Sequence, residues 1–310
     1  MKIKTLRVVK TDRLFMAVNY TYSSMINEIN RMCKKYSFLR KKSIGKTVLG
    51  KEIISLSLGN TESYNLYCAA FHGSEHITSN VLLMWLEEIC EAVYMDDTVS
   101  GINIKKALSA RGIMIVPSVN PDGCDISVSG AAACGEKAQE IARMTNGKYE
   151  IYNANFRGVD INHNFDAGWK ELKSIERKNG ILGPAARRFG GHSPESEPET
   201  AAMCNICRNN DIRQVYALHS QGRVIYWSYG KRRPERSRKI AEILASESGY
   251  ALDYPVSIAV GGGFKDWFIE KYNRPGFTIE IGKGQNPLPI ESAFELYGEV
   301  KNMLTLSIIL

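Results

Sequence analysis

Apolar positions along the chain follow two periods. In "SSMINEINRMCKKY", Met25, Ile26, Ile29 and Met32 recur at helical spacing. "SNVLLMWLEEICEAVY" predicts a strongly apolar helix beginning after Ser79. "ESEPETAAMCNICRNN", with an acidic first turn, "ERSRKIAEILASESG", "GFKDWFIEKY" and the closing "IESAFELYGEVKNMLTLSIIL" predict four more. "EIISLSLG" alternates as a half-buried strand does, and "YNLYCAAF" is a short apolar run. "GIMIVPSVNPDG" reads as a buried strand closed by a Pro-Asp-Gly turn, and "RQVYALHSQG", "RVIYWSYG" and "GFTIEIG" complete the set of strands. The stretch from Ser127 to Asn155, rich in Gly, Ala and Ser, is expected to be a long loop. Strands alternating with helices predict an α/β fold, a mostly parallel sheet covered on both faces.

Four polar side chains, His72, Asp122, His219 and Glu280, follow or end an apolar run. In open α/β sheets, ligand sites gather at the carboxyl ends of the strands, so this shared placement is informative where a single histidine would not be.

Composition narrows the class. The chain has 310 residues, 44% hydrophobic and 24% charged, enough to bury a full core. The net charge of +7 comes with short, scattered basic clusters, Lys34-Lys35, Arg40-Lys41-Lys42 and Lys231-Arg232-Arg233. These read as solvated faces, and no nucleic-acid partner is expected. No apolar stretch approaches the length that spans a bilayer, so no membrane insertion is expected. The seven cysteines form no disulfide-dense framework, and the pair Cys204 and Cys207 falls in a predicted helix without a second pair nearby, as packed thiols would. Such usage, with no signal peptide evident, suggests a cytoplasmic protein.

"AAFHGSEHITSN" carries the candidate chemistry. Zinc catalysis needs about three N or O ligands and an open position, with a separate carboxylate to move the water's proton. One reading takes His72 and Glu75 as ligands and needs a distant third. The other takes His72 and His76 on one helical face and makes Glu75 the base. Gly73, directly after His72, favours a tight turn leaving a strand over the middle of a helix.

"HGSE", "VNPDG", "GVDINHNFDAGW", "LHSQG" and "FTIEIG", in that order, resemble the zinc metallocarboxypeptidase family of the carboxypeptidase A type. The resemblance runs from about Tyr20 to the C-terminus. It implies a single α/β domain over residues 20–310 with a central mixed sheet, preceded by an N-terminal extension, 1–19, packed on the domain. It also implies one Zn²⁺ per chain, held by His72, Glu75 and His219, with Glu280 as general base and His76 left to pack the start of a helix. Arg157 matches the expected oxyanion-stabilising arginine better than Arg143. "RGVDINHNFDAGW", "LHSQGRVIYW" and "IEIGKGQNPLP" resemble one branch, the γ-D-glutamyl-diamino acid peptidases. These hydrolyse the bond between γ-D-glutamate and meso-diaminopimelate (or lysine) in peptidoglycan-derived peptides.

The pattern departs from true carboxypeptidases at the clamp for the substrate's terminal carboxylate. Asn162 matches its asparagine, but His163 stands at the arginine position and Ile258 at the tyrosine position. Imidazole does not reproduce the fork of a guanidinium. The same alignment puts Lys265 at the floor of the side-chain pocket, where it favours an acidic group, with Asp266 available for an amine. An ordinary zinc carboxypeptidase, a zinc amide deacylase and a non-catalytic wall-peptide binder are the alternatives; the retained ligands and Glu280 argue against the last.

Overall fold

A computed structural model describes residues 21–255 and 257–310. The expected N-terminal extension, 1–19, lies outside the described residues. Strands are β1 (Arg40–Lys46), β2 (Glu52–Leu58), β3 (Tyr64–Ala69), β4 (Thr98–Val99), β5 (Ile102–Asn103), β6 (Gly112–Val116), β7 (Ile212–Ser220), β8 (Val224–Tyr226), β9 (Ala251–Asp253) and β10 (Gly276–Ile281). The helices of the first half are α1 (Tyr22–Lys35), α2 (Ile77–Met95), α3 (Ile104–Ala110), α4 (Pro121–Ser129) and α5 (Ala138–Thr145). Those of the second half are α6 (Trp169–Lys178), α7 (Pro198–Arg208), α8 (Ser237–Ser248), α9 (Phe264–Tyr272) and α10 (Ala293–Leu306).

Eight strands form one mixed sheet in the order β1-β2-β6-β3-β7-β10-β8-β9. The central run β6-β3-β7-β10 is parallel throughout. β1 and β2 add antiparallel to one side of it, and β8 adds antiparallel to the other. The strand period of two divides the core. In β3, Tyr67 and Ala69 join a cluster with apolar residues of α1, α2, α8 and α10, whereas Leu66 and Cys68 face α7 and α9. Covering both faces removes the half-exposed pattern expected of β2: Ile53 packs to one side, Ile54, Leu56 and Leu58 to the other.

Three expectations are corrected. Pro-Asp-Gly does not close a strand with a turn; Pro121 is in the first turn of α4, and the Asn120 side chain caps it by accepting from the Gly123 N–H at 3.0 Å. Asp122 is therefore not a strand-end group of the site: its carboxylate accepts from the Leu49 N–H and pairs with Lys51 at 3.1 Å. The stretch from Ser127 to Asn155 is not a loop but the end of α4, α5 and short 3-10 turns, which bury Ile126, Ile141 and Tyr152 in a small separate core. All seven cysteines are free, and Cys204 and Cys207 lie buried on α7.

Candidate metal centre and cavity

The parallel run brings the carboxyl ends of β3, β7 and β10 side by side. His219 is the penultimate residue of β7 and Glu280 of β10, and the register pairs the two directly. His72 lies three residues past β3 and leads into a 3-10 turn, Gly73–Glu75, that precedes α2. It is thus not on a helix face with His76. That turn packs against the backbone under it. The Gly73 N–H donates to the Asn153 carbonyl, and a Cβ on Gly73 would collide with the carbonyls of Gly123 and Tyr152. Only glycine fits there.

The turn aims two imidazoles at one carboxylate. His72 Nδ1 is 2.8 Å from Glu75 Oε1, and His219 Nδ1 is 3.0 Å from Glu75 Oε2. One ligand atom from each of the three lies within 4.8 Å of the others. Two imidazole nitrogens and a carboxylate oxygen are the donors zinc takes in catalytic sites. His72 Nε2 is 3.1 Å from Asp160 Oδ1, a carboxylate placed to accept the Nε2 proton and so to leave Nδ1 for a metal. His219 is wedged against the Phe71 ring, stacked at 5.2 Å. Burial opposes charge on His72, yet the carboxylates of Glu75 and Asp160 outweigh it and hold the imidazole well above its ordinary value. Burial likewise opposes ionisation of Glu75, but His72 and His219 bring it down to about 2. His76, at the start of α2, is buried; desolvation lowers it to about 4, and it lies outside the three-residue cluster.

These residues open into a cavity of about 210 Å³. Glu280 lines it, and burial, followed by the nearby Glu75 charge, pushes its carboxyl up to about 8. Asn162 and His163 line it too. Asn162 Oδ1 accepts from the Phe264 N–H at 3.0 Å, tying it to the start of α9. His163 Nδ1 is 3.1 Å from the Arg188 carbonyl and 3.3 Å from Glu176 Oε1. Lys265 is 5% exposed, so it does not point to solvent; it lines the cavity, donates to the Ser228 carbonyl at 2.6 Å and pairs with Asp266.

Two expected site residues fall elsewhere. Arg157 is exposed, with its guanidinium 3.6 Å from Glu197, and does not line the cavity; Arg143, on α5, does not either. Ile258 sits in the 3-10 turn Ser257–Ala259, and its neighbours Pro255 and Ala259, not Ile258 itself, form the wall. Nine lining residues escaped the sequence reading, among them Asn153, Asp160, Arg187, Arg188 and Tyr226. Asp160 sits inside "GVDINHNFDAGW" and was within reach of a motif argument, whereas Arg187 and Arg188 lie in a stretch without strand or helix and with no motif.

A family model described as zinc carboxypeptidase matches residues 23–302. The γ-D-glutamyl-L-diamino acid endopeptidase 1 of Lysinibacillus sphaericus is 34% identical over 284 residues, covering 91% of this chain and 70% of that protein. Among solved structures, bovine thrombin-activatable fibrinolysis inhibitor aligns with a TM-score of 0.71 at 19% identity, covering 93% of this chain and 96% of that one. The carboxypeptidase A from Helicoverpa armigera aligns at 0.72 and 17%, covering 96% and 75%.

Proposed function

Since the chain belongs to the zinc carboxypeptidase family and is a zinc-dependent peptidase, we propose that it hydrolyses the γ-D-glutamyl bond to meso-diaminopimelate in peptidoglycan peptides. The observation that carries this reading is the buried Lys265–Asp266 pair in the cavity wall. The side chain of meso-diaminopimelate ends in a carboxylate beside an ammonium. A buried lysine beside a buried aspartate offers one opposite charge to each, so the pair can exchange part of its mutual contact for the two ends of that side chain. The name of the Lysinibacillus relative, a γ-D-glutamyl-diamino acid endopeptidase, supports the same substrate class.

In this reading His72, Glu75 and His219 hold the zinc, and Asp160 keeps the His72 proton on Nε2. The chemistry that zinc supplies there is Lewis acidity toward the scissile carbonyl and a lowered pKa for water. Glu280, beside His219 on the neighbouring strand, takes the proton from water and passes it to the leaving amine. Asn153 lines the same wall with Oδ1 engaged by the Ser74 hydroxyl, which leaves its NH₂ as the side-chain donor for the developing oxyanion in place of Arg157. The seven free thiols fit a reducing, cytoplasmic setting, which fractionation of the native host tests.

Product analysis by mass spectrometry tests the substrate. Three peptides suffice: L-Ala-γ-D-Glu-meso-diaminopimelate, its lysine analogue and a dipeptide ending in leucine. Cleavage at the γ-glutamyl bond, fastest for diaminopimelate, is expected, and Lys265→Ala should hurt that peptide far more than the lysine analogue. Preferential release of leucine would overturn the assignment. Glu280→Gln should keep zinc and lose roughly 10²–10⁴ in turnover.

A further inference from the structure

The cavity lacks an arginine where true carboxypeptidases place one, because His163 stands there, yet two arginines from another segment, Arg187 and Arg188, line its wall. We propose that Arg187 and Arg188 together hold the free α-carboxylate of the residue released by hydrolysis, a substrate-anchoring role that the sequence pattern assigns to a different position. The inference rests on the peptidase reading above.

The charges are the first support. In the reading above Lys265, beside Asp266, is assigned to the side-chain end of diaminopimelate, and His72 and His219 converge on Glu75, so none of these serves the α-carboxylate. Among the described residues, neither Arg187 nor Arg188 has a side-chain hydrogen bond or ion pair within the chain, and both are exposed where they line the cavity. They are the unspent cations of the wall. Forked guanidinium donors suit a carboxylate, and a charged pair of this kind is stronger than a neutral hydrogen bond.

The backbone is the second. Arg188 adopts φ 67°, a left-handed conformation unfavourable for a residue with a Cβ. Its N–H donates to Asp160 Oδ2 at 2.8 Å, and its carbonyl accepts from His163 Nδ1. On either side, the Ala186 carbonyl accepts from the Asn153 and Ala154 N–H groups, and the Phe189 carbonyl from Asp160 N–H. The loop is fixed by its main chain while its two long side chains stay free. His163, at the position where an arginine is expected, latches the segment that supplies two. Asp160 links that same segment to His72, so the anchoring point is held in register with the metal ligands. Fixing such a loop beforehand reduces the ordering cost of binding.

Kinetics on paired substrates test this. The tripeptide with a free α-carboxylate is compared with its α-carboxamide in the wild type, in Arg187→Ala, in Arg188→Ala and in the double variant. The wild type should favour the carboxylate by roughly 10–100-fold in kcat/KM. In the double variant that ratio should fall to near one, chiefly through KM, while turnover of the carboxamide changes little. Arg188→Lys, which keeps charge but not the fork, should retain part of the preference. A ratio that persists in the double variant, or no preference in the wild type, would overturn the proposal. If leucine release proves to be the main activity, the same comparison is run on the leucine dipeptide and its amide. A preference lost there with the arginines sustains the clamp while the diaminopimelate reading falls.

Discussion

Replacing Asp160 by asparagine keeps the shape of the side chain and changes only what it can accept. The carboxylate takes three hydrogen bonds: from His72 Nε2, from the Asn162 N–H at 3.1 Å on the same oxygen, and from the Arg188 N–H on the other. A carboxamide can keep one oxygen facing donors, and its NH₂ must then meet a donor on the other side. If the NH₂ faces His72, it also strands the Asn162 N–H on that side, the ring has to present a bare Nε2, the proton moves to Nδ1, and Nδ1 is lost as a ligand. If it faces Arg188, a backbone donor is stranded at the residue already held at positive φ. Loss of a partner that orients a metal-bound histidine costs 10–100-fold in metal affinity, or about 1.4–2.8 kcal/mol. A stranded buried donor instead costs the fold about 1–3 kcal/mol. Competition against a chromogenic zinc chelator reads the first branch, and the melting temperature of chelator-stripped protein reads the second. Zinc affinity within twofold of wild type, together with an unchanged melting temperature, would refute the role given to Asp160.

Three further outcomes are expected. His219→Ala should abolish stoichiometric zinc while His76→Ala retains it, as measured by metal content after dialysis; the opposite pattern would restore the inverted ligand set. Gly73→Ala forces a Cβ against the Gly123 and Tyr152 carbonyls, 2.5 Å from the latter, and overpacking of this kind costs about 1–3 kcal/mol, read by urea unfolding. Glu199, buried at the start of α7, has its carboxyl pushed up to about 7 by desolvation despite its bond to Asn155. A raised folded pKa means that its contribution is fully present below about 4.5 and is lost as pH rises to about 7, up to ~3 kcal/mol. Urea titrations at pH 5 and 7.5 should show that decline in the wild type, and a Glu199→Gln variant should lack this part of the slope.

Where the sequence was legible, burial made it so. β3, β7 and β10 are covered on both faces, so each reads as an apolar run, and the polar residue that breaks or follows the run stands out as His72, His219 or Glu280. β1 went unnoticed for the opposite reason: "RKKSIGK" is an edge strand whose exposed lysines look like a solvated basic cluster, and they also discourage pairing with another chain. α5 was hidden because its eight residues bury only Ile141 and Thr145, too few to stand out among the flanking small residues. Arg157 misled through its position next to a motif; adjacency in sequence fixed its backbone, but its side chain leaves toward Glu197. Arg187 and Arg188 reach the cavity through main-chain bonds to Asp160 and His163, and no side-chain pattern encodes such bonds.

The direct pairing of His219 with Glu280 on two central parallel strands separates parts of the site by the free energy needed to expose them. Backbone amides in such a ladder open only with the whole domain, whereas a segment held by a few bonds opens at much lower cost. Under rising denaturant the Arg187–Arg188 segment should exchange its amides first, with the third ligand and the base still in register. Grip on substrate would then fade while His219 and Glu280 still stand side by side, and KM would climb before the ladder opens.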